Sequence, residues 1–367
     1  MEIRASDIAA TPLYIIVGSP RSGTNMLHGF LDAHPETVIP TEFPFITLYA
    51  PLFRKKSAWT IEDVDNFILR IQEKINYQFW TIDRWHTDIE SLRSRLSDLI
   101  PNGLDYALAC RETISTFKSV FPKDFPQVMI LKEPAYSLHT KTLLKIFPDV
   151  KFIYIHRDVR GQVNSLVRMP FGSRLLTANT WYWKKVQNHL LRQSYKNPEK
   201  YFRVAYEDMV MNPEETIREI CDFINIRYFS LMLNYSGQRD AIAREYGVIN
   251  NELMSIGASA LKAPDVSMIH KWKKDLTTRE IKTIEAGCRR QMLKLGYSPM
   301  FRFSFFHQMK YLPVVLHFIL QKLAGLVLLI LPFNLRMKII FRPSLFEATF
   351  GRVFGKKRAD RIPDIRK

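Results

Sequence analysis

One short segment near the start of the chain sets the strongest limit on its fold. Leu13-Tyr14-Ile15-Ile16-Val17 is a continuous apolar run rich in β-branched residues, and Gly18-Ser19-Pro20-Arg21-Ser22-Gly23 follows at once. A run apolar on both faces reads as a buried strand of a parallel sheet. Thr24 to Ala33 then has helical periodicity, closed by His34-Pro35. Strand, glycine turn and helix together open a nucleotide-binding α/β fold, in which loop N–H groups and a helix N-terminus cradle an anion.

The alternation continues. Val128–Leu131, Lys151–Ile155 and Tyr201–Ala205 predict three further buried strands. Helices are expected through much of residues 60–120, where Thr87-Asp88-Ile89-Glu90 has capping-box spacing. Others are expected over Val159–Met169 with Asp158 as N-cap, over Leu175–Tyr195, from Pro213 onward, and from the Thr277–Glu280 capping box to Gly296. The expected architecture is α/β: a P-loop-like parallel sheet flanked by helices over residues 1–300, with an apolar, basic-flanked helical tail over 301–367. Within the tail, Tyr311 to Phe333 is strongly apolar but interrupted by His317, Gln321 and Lys322. It is read first as a hairpin lying in a membrane interface, second as a helix packed on the domain, and last as a span.

Lysine and arginine number 53 against 36 acidic residues, a formal net charge of +17. That excess calls for an anionic partner, an anionic membrane surface included. The cations are scattered and show no base-reading motif, so nucleic acid is not expected. Cys110, Cys221 and Cys288 are odd in number and far apart, with neither metal-ligand nor disulfide spacing. A reducing, cytoplasmic setting with peripheral membrane association follows as the expectation. The N-terminus, with Glu2 and only a short apolar run, lacks the pattern of a signal peptide.

The glycine turn is not a Walker A loop. That pattern needs lysine at 24 and a hydroxyl at 25, where Thr24 and Asn25 stand. The cation sits inside the loop instead, as Arg21. This speaks against a magnesium-dependent kinase, and no metal is expected at the site. Arg21, Ser22, Gly23, Thr24 and Asn25 are the candidate anion-binding residues. A second candidate anion site is Arg157, at the end of strand KFIYIHR, with Ser165 eight residues on. Eight helical residues rise about 12 Å, so one ligand meets both only if it lies along the helix.

PRSGT resembles the 5′-phosphosulfate loop of the sulfotransferase family, in the arginine form found in its carbohydrate and tyrosylprotein branches. Arg157 and Ser165 resemble that family's 3′-phosphate segment. Tyr206-Glu207-Asp208 resembles the segment near the adenine, and His270-Lys271-Trp272 the loop closing over the nucleotide. The resemblance covers most of residues 11–298. It implies 3′-phosphoadenosine 5′-phosphosulfate (PAPS) as co-substrate, its bisphosphate as product, Lys271 on a phosphate, Trp272 as an aromatic wall, and a catalytic lysine at Lys132. Cytosolic members carry a histidine two positions after that lysine, where this chain has Pro134. In the segment LDAHPETVIPTE, which resembles the tyrosylprotein and carbohydrate branches, a carboxylate base takes its place: Glu42 first, seven residues after Pro35, with Glu133 second and His34 and His156 well behind. The expected reaction is metal-free, in-line sulfuryl transfer to an acceptor hydroxyl on a glycan or glycolipid, with protein tyrosine ranked lower. The competing reading is a P-loop nucleotide-binding protein of another kind, a kinase or a scaffold.

Overall fold

The computed structural model describes residues 5–73, 82–119, 121, 123, 127–169, 172–238 and 264–340. Five strands form one wholly parallel sheet: β1 (Leu13–Gly18), β2 (Thr37–Val38), β3 (Val128–Lys132), β4 (Lys151–His156) and β5 (Tyr201–Ala205), in the spatial order β2-β3-β1-β4-β5. The four expected strands are present within a residue at each end. The two-residue edge strand β2 is new, being too short for periodicity to mark. Every residue of β1 and β3 is buried, as a sheet covered on both faces requires.

The chain leaves β1 toward β2 and β3, then crosses to β4 and β5 on the other side. The carboxyl end of β1 is therefore a topological switch point, the place where open α/β sheets bind ligands. Register puts Ile16 beside Lys132 of β3, and Gly18 beside Ile155 of β4.

The helices are α1 (Ala5–Ala10), α2 (Thr24–Asp32), α3 (Phe45–Phe53), α4 (Ile61–Gln72), α5 (Ile89–Leu99), α6 (Tyr106–Ser115), α7 (Thr140–Ile146), α8 (Val159–Leu166), α9 (Leu176–Lys196), α10 (Tyr206–Met211) and α11 (Pro213–Ile224). Beyond the 239–263 segment come α12 (Trp272–Asp275), α13 (Thr278–Lys294), α14 (Phe305–Met309), α15 (Leu312–Leu328) and α16 (Phe333–Ile340). The Thr277–Glu280 capping box forms as expected. At α5 the cap moves one residue: Asp88, not Thr87, accepts from the Ser91 amide at 3.0 Å. Thr87 is engaged with the Thr116 hydroxyl at 2.7 Å instead.

Two compact units divide the chain. One holds residues 1–156 and 189–266, with the whole sheet; the other holds 157–188 and 267–367. The expected boundary at residue 300 falls inside the second unit. That unit has its own core of Val159, Val163, Trp183, Trp272, Ile281, Ile284 and Met292. The basic tail beyond residue 340 and most of residues 230–265, a stretch where acceptor specificity is expected to lie, fall outside the described residues.

Candidate active site

The glycine turn begins where two strands approach too closely for a side chain. A Cβ on Gly18 would fall 2.2 Å from the Ile155 carbonyl oxygen. The Gly18 amide donates to Ser137 Oγ, and that hydroxyl donates back to the Gly18 carbonyl, each at 2.9 Å. Arg21 (φ 67°) and Gly23 (φ 91°) both adopt left-handed backbone. Left-handed residues spaced along a turn gather successive N–H groups into an anion-binding concavity. Gly23 is also the N-cap of α2 and brings no capping side chain, which leaves the first-turn N–H groups of that helix for an anion. Ser22 is fully buried, and its hydroxyl has no hydrogen-bond partner among the described residues. Loop amides, a buried hydroxyl and an arginine make a donor set that fits a phosphosulfate.

Tyr206, at the start of α10, packs against this loop: a Cβ on Gly23 would meet its ring at 2.6 Å.

Lys132 ends β3 at the same edge of the sheet. Its Nζ donates to Asn25 Oδ1 at 2.8 Å and to Glu42 Oε1 at 2.6 Å. The lysine side chain is 4% exposed and the Glu42 side chain 33%, so the carboxylate opens to solvent while the cation behind it does not. Three of the sequence-predicted residues thus meet in one cluster. Asn25, expected among the phosphate ligands, contributes its side chain to holding the lysine.

The other acid and base candidates are placed differently. Glu133 is buried, and its Oε1 accepts the Ala135 amide at 3.1 Å, capping a short 3₁₀ turn. Burial pushes its pKa well up, and the neighbouring Glu42 charge adds to the rise. Glu133 is thus shut away from solvent, whereas the Glu42 side chain is 33% exposed. His34 has both ring nitrogens committed to backbone: Nε2 donates to the Arg227 carbonyl at 2.7 Å, and Nδ1 accepts from the Glu36 amide at 3.1 Å. His156 is buried beside Tyr154, and burial with the Arg203 charge lowers its pKa to about 4.

The segment carrying Glu42 hangs from two rings that sequence reasoning passed over. His28 Nε2 faces the Ile39 carbonyl at 3.0 Å, so the proton must sit on that nitrogen. Burial, and then the Lys132 charge, holds this histidine neutral. The Trp85 indole N–H donates to the Thr41 carbonyl at 3.1 Å. Trp85 is fully buried and packs edge-on against Phe43 and Phe45. A lone His in an apolar helix and a Trp 44 residues from the Thr41 carbonyl it holds carry no sequence signal of this joint task.

In the second unit, Arg157 is buried and donates to the Met268 carbonyl at 3.2 Å, while its own carbonyl accepts the Trp183 indole N–H at 3.2 Å. Asp158 caps α8 as expected, accepting the Arg160 amide at 2.8 Å. A Cβ on Gly161 would sit 3.2 Å from Arg157 Nε and 3.5 Å from the Trp272 ring, so both side chains lie over that glycine. Ser165 is half-buried further along the same helix, and Lys271 is exposed just before α12. Trp272 corrects an expectation. It is 3% exposed within the core, with the Arg160 guanidinium 4.2 Å from its ring centre, and so serves packing instead of forming an open wall.

A phosphate-type loop at the switch point of a parallel sheet, with a strand-end lysine beside it, defines a P-loop-like nucleotide-binding enzyme fold. The sequence profile of the Sulfotransferase family matches residues 12–230, and the chain belongs to that family. It is an enzyme of the PAPS-dependent sulfotransferase class, with PAPS as its co-substrate. Among curated relatives, protein-tyrosine sulfotransferase 1 of Danio rerio is 23% identical over 294 residues, which are 78% of this chain and 73% of the relative. The omega-hydroxy-beta-dihydromenaquinone-9 sulfotransferase of Mycobacterium tuberculosis is 23% identical over 272 residues, 62% of this chain and 66% of its own length. The sulfotransferase domain from the curacin biosynthetic pathway shares the fold, with TM-score 0.56, 20% identity, and coverage of 78% of this chain and 98% of that domain.

Proposed function

We propose that this sulfotransferase works by metal-free in-line displacement, with Glu42 as base and Lys132 and Arg21 as the cations that offset developing charge. The observation that carries the reading is the contact of the buried Lys132 ammonium with Glu42 and Asn25 beside the glycine turn. PAPS supplies the sulfuryl group. The acceptor oxygen forms a new bond to sulfur as the bond from sulfur to the bridging phosphate oxygen breaks. The hydroxyl proton goes to the Glu42 carboxylate, and the electron pair leaves with the bisphosphate, whose new charge Lys132 and Arg21 offset. Arg21, Ser22, Gly23, Thr24 and Asn25 hold the 5′ end, Arg157 and Ser165 the 3′-phosphate, and Lys271 a further phosphate oxygen. Tyr206 supports the loop by its packing on Gly23.

For the acceptor we favour a hydroxyl on a glycan or glycolipid. The arginine-form loop, like that of the carbohydrate branch, supports a sugar hydroxyl, and the apolar tail supports a lipid-borne one. A protein tyrosine is the second reading, supported by the name of the Danio rerio relative. We place the enzyme in a reducing compartment, in keeping with three buried, free cysteines.

Calorimetric titration with 3′,5′-adenosine bisphosphate in EDTA, on the wild type and on Arg157→Ala, tests the nucleotide assignment. Binding without metal, weakened at least about tenfold in the variant, is expected. Wild-type binding that requires magnesium, or that Arg157→Ala leaves unchanged, refutes it.

A further inference from the structure

The described part of the tail presents an apolar surface that the other described residues leave exposed. Its first turns are fastened to the second unit. The Tyr311 hydroxyl donates to the Thr283 carbonyl at 2.9 Å, and the ring lies where a Cβ on Gly287 would be, 2.3 Å from the nearest carbon. Val314 packs with Ala178, and Phe318 stacks on Trp181 with ring centres 6.4 Å apart. These contacts occupy one stripe of α15, at positions 311, 314 and 318.

Much of the rest of the described tail faces solvent. Leu312, Leu316, Ile319, Leu320, Leu323, Leu326 and Val327 are each at least half exposed. Ile330, in the turn before α16, is 83% exposed, and Phe306 on α14 is 84% exposed. Isolated exposed leucines are ordinary on a protein surface, but a contiguous patch of this kind marks an interaction site.

By length and composition alone the stretch Phe305–Leu328, with mean hydropathy 1.7, would cross a membrane. Its packing argues otherwise. With residues 311–318 held against protein, only about ten helical residues remain, roughly 15 Å of rise. A hydrocarbon core is about 30 Å thick, so the free part reaches into one leaflet only. Charge selects the lipid. Between Glu285 and Glu347 the sequence has no acidic residue and nine lysines and arginines. Among them Arg302, Lys310 and Lys322 are exposed beside the apolar patch.

We propose that α14, α15 and the turn at Ile330 dock the enzyme on one leaflet of an anionic phospholipid bilayer. The leucines and isoleucines enter the acyl boundary and the flanking cations meet the headgroups. The inference stands on the tail's surface and holds whichever acceptor the active site takes.

The test is flotation of the full chain with vesicles of phosphatidylcholine alone and with about one third phosphatidylserine. Binding to the anionic vesicles, reduced by high salt, is expected. The double variant Leu323→Glu/Ile330→Glu should lower the bound fraction by more than about tenfold, with affinity for adenosine bisphosphate unchanged as proof of folding. A bimane label on Ile330→Cys is selective because the native cysteines are buried, and it should be quenched best by lipids brominated near the headgroup of the facing leaflet. Three results overturn the proposal. One is wild-type protein that ignores both vesicles. Another is a label reached from the far side, which means a span. The last is a defined oligomer abolished by the double variant, which means that a second copy covers the patch.

Discussion

Lys132 Nζ lies 2.6 Å from Glu42 Oε1, although ninety residues separate the two in sequence. The strand that carries the lysine and the loop that carries the acid are brought together by the parallel pairing of β2 with β3 and β3 with β1. A cation sunk behind a partly exposed carboxylate holds that carboxylate in one place.

Glu42→Gln keeps the shape and removes the proposed base. Turnover should fall about 100- to 10,000-fold. Affinity for adenosine bisphosphate, measured by calorimetry, should stay within about twofold, since Glu42 is not among the proposed nucleotide ligands. Turnover equal to wild type would remove Glu42 from the mechanism.

Trp85→Phe probes how the Glu42 segment is held. It deletes the N–H that satisfies the Thr41 carbonyl and leaves that oxygen buried. Stability in urea should drop by about 1–3 kcal/mol. The informative reading is kinetic: kcat should fall while the nucleotide affinity does not, because only the base loses its support. A purely structural tryptophan would lower stability alone.

Gly23→Ala places a methyl group 2.6 Å from the Tyr206 ring at a residue with φ 91°. Strain and steric conflict add, and about 1–3 kcal/mol of stability should be lost. Adenosine bisphosphate should bind at least about tenfold more weakly, since the loop itself must shift. Tyr206→Ala made in the same background removes the obstructing ring, and should recover part of the stability but not the binding.

His156 makes stability depend on pH. Its pKa is lowered from 6.5 to about 4 by burial and by Arg203. In this window the unfolded chain binds the proton that the folded chain refuses. Its contribution is therefore complete above about pH 6.5 and is lost as pH falls toward 4, on the order of 3 kcal/mol in all. Urea unfolding at pH 7.5 and pH 5 should show a steeper loss for the wild type than for His156→Leu.

Much of this protein was legible in its sequence. The β1 run and its glycine turn carry short-range information: apolar residues on both faces demand burial, and the sequence from Gly18 to Gly23 permits the left-handed turn an anion cradle needs. Strands β3, β4 and β5, the Asp158 cap and the Thr277 capping box were readable for the same reason, since each depends on neighbours in the chain. Arg21, Lys132 and Glu42 were nameable as candidates because motif spacing marks them.

The tertiary structure decided what those residues touch. That Asn25 holds Lys132, that Glu133 is buried and caps a turn, that His34 spends both nitrogens on backbone, and that Trp272 belongs to a core are facts of long-range packing. So is the suspension of Glu42 by His28 and Trp85, two residues with no mutual spacing to betray them. Contacts between distant segments depend on sheet order and register, which local periodicity does not encode. The tail shows the same division: sequence determined that it is apolar and basic, and packing at Tyr311, Val314 and Phe318 decided how little of it is left to enter a membrane.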